Sequence, residues 1–446
     1  MRPRRIVCLA LLSASLPLLS QTPQPQSTQS PQPLTLEEAI RLAEANEPAF
    51  VAAAAEGRAT QLERTDARAG LLPSVVYHNQ YLFTQSNHTV AATTQGGLSQ
   101  SLPVFIANNA VHEYYSQASV TENIGLAQLA AVRLADANAA RAQAELEVAR
   151  RGLVQTVVGL YYSSGAANQK IATAQRALDE ANSFLDITTK RETAREAAHA
   201  DVIKARLGVE QRQRDLDDAT LTAAKGRLEL GVLLYPDPST AYTLAPVENP
   251  APLPDRATID AAAKNNNPEI RSALAGLAVA QAQTAQARAA LLPDLSFNYI
   301  YGIDAPQFAK RGPDGARNLG YSAGATLDIP VWDWLTSERK VKEANIRSYA
   351  AKATLTNAQR QLLASLAEDY DEADVARRQL ASLDSSVNDA RESLRLTRLR
   401  YVNGEGTVLD VVDAQNTLIS AENAQADGIV RYQTALAQLE TLTGRL

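Results

Sequence analysis

The chain has 446 residues, a formal net charge of −6 and 5% aromatic side chains. That length holds a large core or two to three domains, and the mild acidity argues against a nucleic-acid partner. The only cysteine, Cys8, lies in an N-terminal apolar run, so the mature chain is expected to hold no disulfide and no thiolate metal site.

Residues 1–20 read as a secretory signal peptide. Arg2, Arg4 and Arg5 precede an apolar stretch over 6–19 that Pro17 breaks. Pro, Gln, Ser and Thr then fill 21–33, the composition of a flexible linker. Beyond the signal no apolar run reaches about 18 residues, so no membrane-spanning helix is expected.

An internal duplication follows. Residues 67–73 read ARAGLLP and 287–293 read ARAALLP, an offset of 220; Asn46 and Pro48 match Asn266 and Pro268 at the same offset. Two homologous repeats are read, 34–236 and 256–446, joined by a proline-rich extended linker at 237–255. The proline-free runs 104–235 and 331–446 are rich in Ala, Leu, Arg, Gln and Glu and can hold very long helices.

Four short strands are expected, at about 74–84, 94–104, 294–303 and 319–330. In the third, Leu295, Phe297, Tyr299, Tyr301 and Ile303 alternate with Ser296, Asn298, Ile300 and Gly302. In the fourth, Tyr321, Ala323, Ala325, Leu327 and Ile329 alternate with small or polar residues. In the first, Val75, Tyr77, Tyr81 and Phe83 share a face with Asn79, opposite His78 and Gln80; the second rests on Leu98 and Leu102. Period-2 alternation with one small, polar face marks a membrane barrel strand. Four strands cannot close a barrel, and open edges are not tolerated in lipid, so several chains must share one; three chains would give twelve strands. A soluble sheet is the competing reading.

The stretch 399–422 reads LRYVNGEGTVLDVVDAQNTLISAE. Before it, Leu380, Leu383, Val387, Ala390, Leu394, Thr397 and Tyr401 trace a heptad-like seam. Gly404 and Gly406 interrupt the helix, and Thr407 followed by Asp410 signals a new one. Asp410 and Asp413 share one face of its opening turns, near the positive end of the helix dipole. This is the sharp tip of a helical hairpin that presents carboxylates.

That tip, with Arg400, Tyr401, Gly404, Asp410, Val411, Asp413 and Ala414, resembles the second hairpin tip of the TolC-like outer-membrane efflux proteins (outer membrane factors). The segments 101–105 and 328–332 look like that family's Leu-x-x-Pro junction after each second strand, and Trp332 and Trp334 would then lie near a membrane interface. The resemblance implies a mainly α fold with a membrane β-barrel: a strand pair plus a long helical hairpin, duplicated, in a trimeric twelve-stranded barrel on a helical tunnel. It implies a passive export duct of a tripartite efflux or type I secretion system, in the outer membrane and extending into the periplasm. Its partners would be two further copies, outer-membrane lipid, a periplasmic adaptor (membrane fusion) protein and an inner-membrane transporter of the RND or ABC type.

By the same resemblance Asp410, Asp413, Asp201 and Tyr401 would form the periplasmic gate, with rings of Asp410 and Asp413 attracting cations and raising one another's pKa. Gly404, Glu405, Gly406 and Thr407, with Ala194, Arg195 and Glu196 of the first tip, would dock the adaptor. The first tip, expected near 190–201, has no glycine, so its turn is expected to be less sharp or partly helical. Where Gly406 stands, one kind of relative carries a basic residue, so a salt-bridge latch is not expected there. The inter-repeat offset moves from 220 to 227 at the strand-ending prolines and to 209 at Tyr161/Tyr370 and Asp201/Asp410, leaving about 18 extra residues ahead of Tyr161 as strand, loop or helical turns. His78, His88, His112 and His199 are scattered, without metal spacing; no enzyme, cofactor or metal site is expected. The alternative function is a soluble periplasmic coiled-coil adaptor or scaffold.

Overall fold

A computed structural model describes residues 33–83, 112–246, 251–305, 307–313 and 315–444. The expected signal peptide and most of the linker after it lie outside these residues. The first repeat runs α1 (Leu36–Asn46), α2 (Pro48–Ala69), β1 (Ser74–Phe83), β2 (His112–Gly125), α3 (Leu126–Thr193) and α4 (His199–Leu234). The second runs α5 (Arg256–Asn266), α6 (Pro268–Ala289), β3 (Asp294–Ala305), β4 (Leu319–Asp328), α7 (Thr336–Val402) and α8 (Val408–Thr443). The helices match pairwise in length: 11 and 11 residues, 22 and 22, 68 and 67, 36 and 36.

The repeated motifs sit at the joints. Pro48 and Pro268 each occupy the first turn of a helix, where the missing N–H costs nothing. Glu47 and Asn267 cap those helices, accepting from the amides of Phe50 at 2.7 Å and Ile270 at 2.9 Å. The ARAxLLP motifs form the turns that end α2 and α6 and lead into β1 and β3.

The four strands make one antiparallel sheet in the order β1-β2-β3-β4. The segment 94–104 and the junction at 101–105 lie outside the described residues; the strand that pairs with β1 is His112–Gly125, with Tyr77 opposite Ala118 and Tyr81 opposite Tyr114. This corrects the helical expectation for the start of the run 104–235, because freedom from proline permits a helix but does not require one. The near-equal lengths of α3 and α7 place the excess of the first repeat ahead of β2, between β1 and β2, and not in extra helical turns. One sheet face carries exposed Tyr77, Tyr81, Tyr299, Tyr301 and Tyr321, with Tyr81–Tyr114 rings at 4.9 Å and Tyr299–Tyr321 rings at 6.1 Å.

The long helices pair as hairpins, α3 with α4 and α7 with α8, and α8 also packs on α3. The cores are duplicated too. Ala39, Ala43, Val157 and Leu230 are buried together in the first repeat, and Ile259, Ala263, Leu366 and Leu439 occupy the corresponding places in the second. Of the α7 seam, Val387, Ala390, Leu394 and Tyr401 are buried. At Gly428 helix α8 comes so close to α7 that a Cβ would meet Leu383 Cδ1 at 2.5 Å. Buried Glu422 of α8 pairs with Arg176 of α3 at 2.9 Å and Arg391 of α7 at 3.3 Å, tying one hairpin to the other. The inter-repeat linker returns to the start of the chain: Leu34 N–H donates to Thr243 O at 2.7 Å and Ala245 N–H to Leu34 O at 2.9 Å.

Candidate gate and docking site at the hairpin tips

Both hairpins turn in the same way. After α3, Arg195 N–H donates to Glu192 O at 2.8 Å and Glu196 N–H to Arg191 O at 2.8 Å. After α7, Gly404 N–H donates to Tyr401 O at 3.1 Å and Glu405 N–H to Arg400 O at 2.9 Å. This is the Schellman closure, which needs a left-handed residue just past the helix end. Gly404 supplies it with φ 81, and Arg195 supplies it with φ 64. The first tip is therefore as sharp as the second, contrary to the expectation drawn from its missing glycine. An arginine takes the strained conformation because the next helix must start within four residues to pack back on α3.

The tips differ in how the returning helix begins. At the second, Thr407 and Asp410 form a full capping box: Thr407 N–H donates to Asp410 Oδ2 at 2.8 Å and Asp410 N–H to Thr407 Oγ1 at 3.2 Å. At the first, Ala198 holds the cap position without a side-chain bond, and Asp201 stands three residues later, half-exposed. His199 Nδ1 lies 2.7 Å from Glu192 Oε1, linking the two helix ends there.

Asp410 and Asp413 are both exposed, one turn apart on α8. The amide of Thr407 holds the Asp410 carboxyl below its usual range. Within one chain the shift is thus opposite in sign to the mutual raising expected of charge rings. Ala194, Arg195, Glu196, Gly404, Glu405 and Thr407 are exposed at the same end. Gly406 is half-buried, and a Cβ there would sit 3.2 Å from Tyr401 N.

Tyr401 is not on the surface. It is 3% exposed, in a core with Phe184, Ala205, Val408 and Val411. Its ring lies 5.0 Å from that of Phe184, and its hydroxyl donates to Thr188 Oγ1 at 3.3 Å. Arg191, one turn further along α3, grips the same residue. Its guanidinium stands 4.8 Å over the Tyr401 ring, its Nη1 donates to the Tyr401 carbonyl, and its Nε lies 3.5 Å from Glu196 Oε2. Tyr401 and Arg191 therefore join the end of α7 to the end of α3. A basic residue does reach the second tip, but from the other hairpin.

Sequence reasoning missed Arg191. The signal was available: the offset of 209 that aligns Asp201 with Asp410 also aligns Arg191 with Arg400. Above the joint Arg398 adds a second tie, to Glu180 Oε1 at 2.6 Å and Ser183 Oγ at 2.8 Å. Among the described residues no group of three or more His, Cys, Asp or Glu could hold a metal ion.

Three comparisons bear on this architecture. A family model described as outer membrane efflux protein matches residues 39–234 and 261–445. Protein CyaE of Bordetella pertussis is 26% identical over 326 residues, covering 72% of this chain and 68% of its own. The pyoverdine export outer membrane protein OpmQ of Pseudomonas putida is 24% identical over 426 residues, covering 92% and 86%. In fold, the CmeC outer membrane channel of Campylobacter jejuni superposes with a TM-score of 0.78 at 16% identity, over 92% of this chain and 85% of that one.

Proposed function

The chain belongs to the outer membrane efflux protein family, and from that premise we propose that three copies close into one export duct, working with a periplasmic adaptor and an inner-membrane transporter of the RND or ABC type. The family is one of outer-membrane channels rather than of enzymes, and membership removes the alternative of a soluble scaffold. The observation that carries assembly with further copies is the four-stranded sheet, whose outer strands among the described residues, β1 and β4, each have one unpaired edge. In lipid such edges must be paired, so several copies share one closed ring of strands, and three copies would give twelve. The tyrosine-rich face would then meet lipid and the opposite face a wet lumen. Helices of 68 and 67 residues reach roughly 100 Å at about 1.5 Å per residue, long enough for a periplasmic tunnel.

At the tunnel's end, Asp410 and Asp413 of three copies form stacked rings, with Asp201 on the neighbouring hairpin start. Charges about 8 Å apart repel by roughly 0.5–2 kcal/mol per pair, so the mouth favours cations. Tyr401 serves the gate from beneath, as half of the joint with Arg191. The exposed turns 194–196 and 404–407 are the adaptor's footing, and opening parts the second hairpin from the first. Single-channel recording in planar bilayers tests this reading. Cation-selective channels whose selectivity falls in Asp410→Ala/Asp413→Ala are expected. Channels of unchanged selectivity would leave Asp410 its capping role alone and Asp413 no part in the gate, and an absence of channels would overturn the duct.

A further inference from the structure

Strand β3 runs away from α6 and β4 returns toward α7, so the β3–β4 connection stands at the rim opposite the helices. In a duct whose helices lie in the periplasm, that rim is the extracellular one. The connection carries three cations, Lys310, Arg311 and Arg317, against one acid, Asp314, which lies outside the described residues. All three cations are exposed, and none forms an ion pair among the described residues. Arg311 and Arg317 stand opposite each other across an antiparallel bridge. Gly312 N–H donates to Ala316 O at 2.8 Å and Asn318 N–H to Lys310 O at 3.0 Å. With those bonds on either side of them, the two arginines are a non-hydrogen-bonded pair, the kind whose side chains come closest. Like charges placed directly opposite are destabilising. Nothing nearby in the chain offsets them. Asp304 and Glu113 alternate to the sheet face opposite Ile303 and Tyr114, and the stretch 84–111 that joins β1 to β2 contains no Asp or Glu.

We propose that Arg311 and Arg317 form a docking site for a headgroup phosphate of an outer-leaflet lipid, the phosphorylated glycolipid (lipopolysaccharide) of bacterial outer membranes. The inference rests on the duct reading above. Two observations select a lipid phosphate as the occupant. The first is position. Arg317 stands two residues before Leu319 and four before Tyr321, so strand alternation places the pair on the tyrosine-rich face, the one that meets lipid. Tyr321 opposes Tyr301 on that face, and the exposed ring of Phe308 lies 6.5 Å from that of Tyr114. Aromatic rings at a barrel rim mark the boundary between acyl chains and headgroups. The arginines lie just beyond these rings, at the height of the headgroups. The second is chemistry. A guanidinium presents a planar fork of N–H donors that matches phosphate oxygens. A phosphate between the two forks replaces their repulsion with charge-assisted hydrogen bonds on both sides.

Native mass spectrometry of the full-length protein in mild detergent, titrated with diphosphoryl lipid A, reads each bound lipid by its mass. Saturable adducts are expected on the wild type. In Arg311→Gln/Arg317→Gln their Kd should rise about tenfold or more, because the contacts from both guanidinium groups are lost. Arg311→Lys/Arg317→Lys, which keeps the charge without the fork, should fall between. Lipid A stripped of its phosphates should bind the wild type no better than the diphosphoryl form binds the Gln variant. Equal affinity of wild type and Gln variant for diphosphoryl lipid A would overturn the proposal. Displacement of lipid A by equimolar inorganic phosphate would overturn it in favour of a site for free anions. Assemblies that hold together without lipid A in the wild type but fall apart in the Gln variant would overturn it in favour of a carboxylate from a second copy. Conductance in planar bilayers separates the two readings. Channels from both proteins, with no difference in lipid A binding, sink the docking site alone, whereas no channels from either sinks the duct.

Discussion

Replacing Arg191 by alanine tests whether the two hairpin tips are held together where the structure joins them. The side chain is mostly buried and makes three contacts with the second tip and its own turn: the Tyr401 carbonyl, the Tyr401 ring and Glu196. A hydrogen bond from a charged group contributes about 1.5–3 kcal/mol, and a cation over an aromatic ring about 0.5–1 kcal/mol. The ion pair to exposed Glu196 adds little. The Tyr401 carbonyl keeps the Gly404 amide as a partner, so the truncation leaves no orphaned acceptor. The loss is therefore about 2 kcal/mol per chain, which is roughly a thirtyfold change in a local opening equilibrium when 1.4 kcal/mol is tenfold. Amide hydrogen exchange at the end of α7 and the turn 403–406 should quicken by about that factor, and open probability in planar bilayers should rise. Arg191→Lys, which keeps the charge but loses the planar fork, should fall between. Exchange and conductance both indistinguishable from wild type would refute the joint.

The remaining predictions concern the strained first tip. Arg195→Gly relieves a left-handed arginine and should steady the turn by about 1 kcal/mol net, since the steric gain of about 1–2 kcal/mol exceeds glycine's added unfolded freedom; slower exchange of the Glu196 amide checks it, and faster exchange would count against the strain. Ala198→Thr should complete a capping box with Asp201 already in place, worth about 1 kcal/mol. Slower exchange of the Asp201 amide should register that gain, which should vanish in an Asp201→Ala background.

The duplication was legible because its marks are punctuation. Pro48 and Pro268 start helices, and the ARAxLLP motifs turn helix into strand, so few other sequences fit there. Strands β3 and β4 were legible from strict alternation. Strand β2 was not: its apolar face runs Tyr114, Ser116, Ala118 and Val120, too small and polar to stand out, in a run rich in helix formers. Leu98, Leu102 and Pro103 drew the reading to 94–104 instead, which lies outside the described residues. The carboxylates of the second tip could be read from spacing. The burial of Tyr401 could not, because it depends on Phe184, Thr188 and Arg191, more than two hundred residues earlier in the chain.

Duplication also explains why the two tips are not equivalent. They share the bonds that end the first helix of each hairpin, but only the second has side chains suited to the whole turn: glycine in the left-handed position and a threonine cap that closes a box with aspartate. The first reaches the same path with arginine and alanine in those places and is held from outside by His199–Glu192 and Arg191–Glu196. A turn satisfied by its own residues is stiff, and one held by ion pairs with an exposed partner yields more easily. The exposed carboxylates of Asp410 and Asp413 thus sit on the stiff tip, while Arg191, which holds Tyr401 beneath that tip, projects from the softer one. Loosening the first hairpin would therefore release the second without deforming the capped turn that carries Asp410.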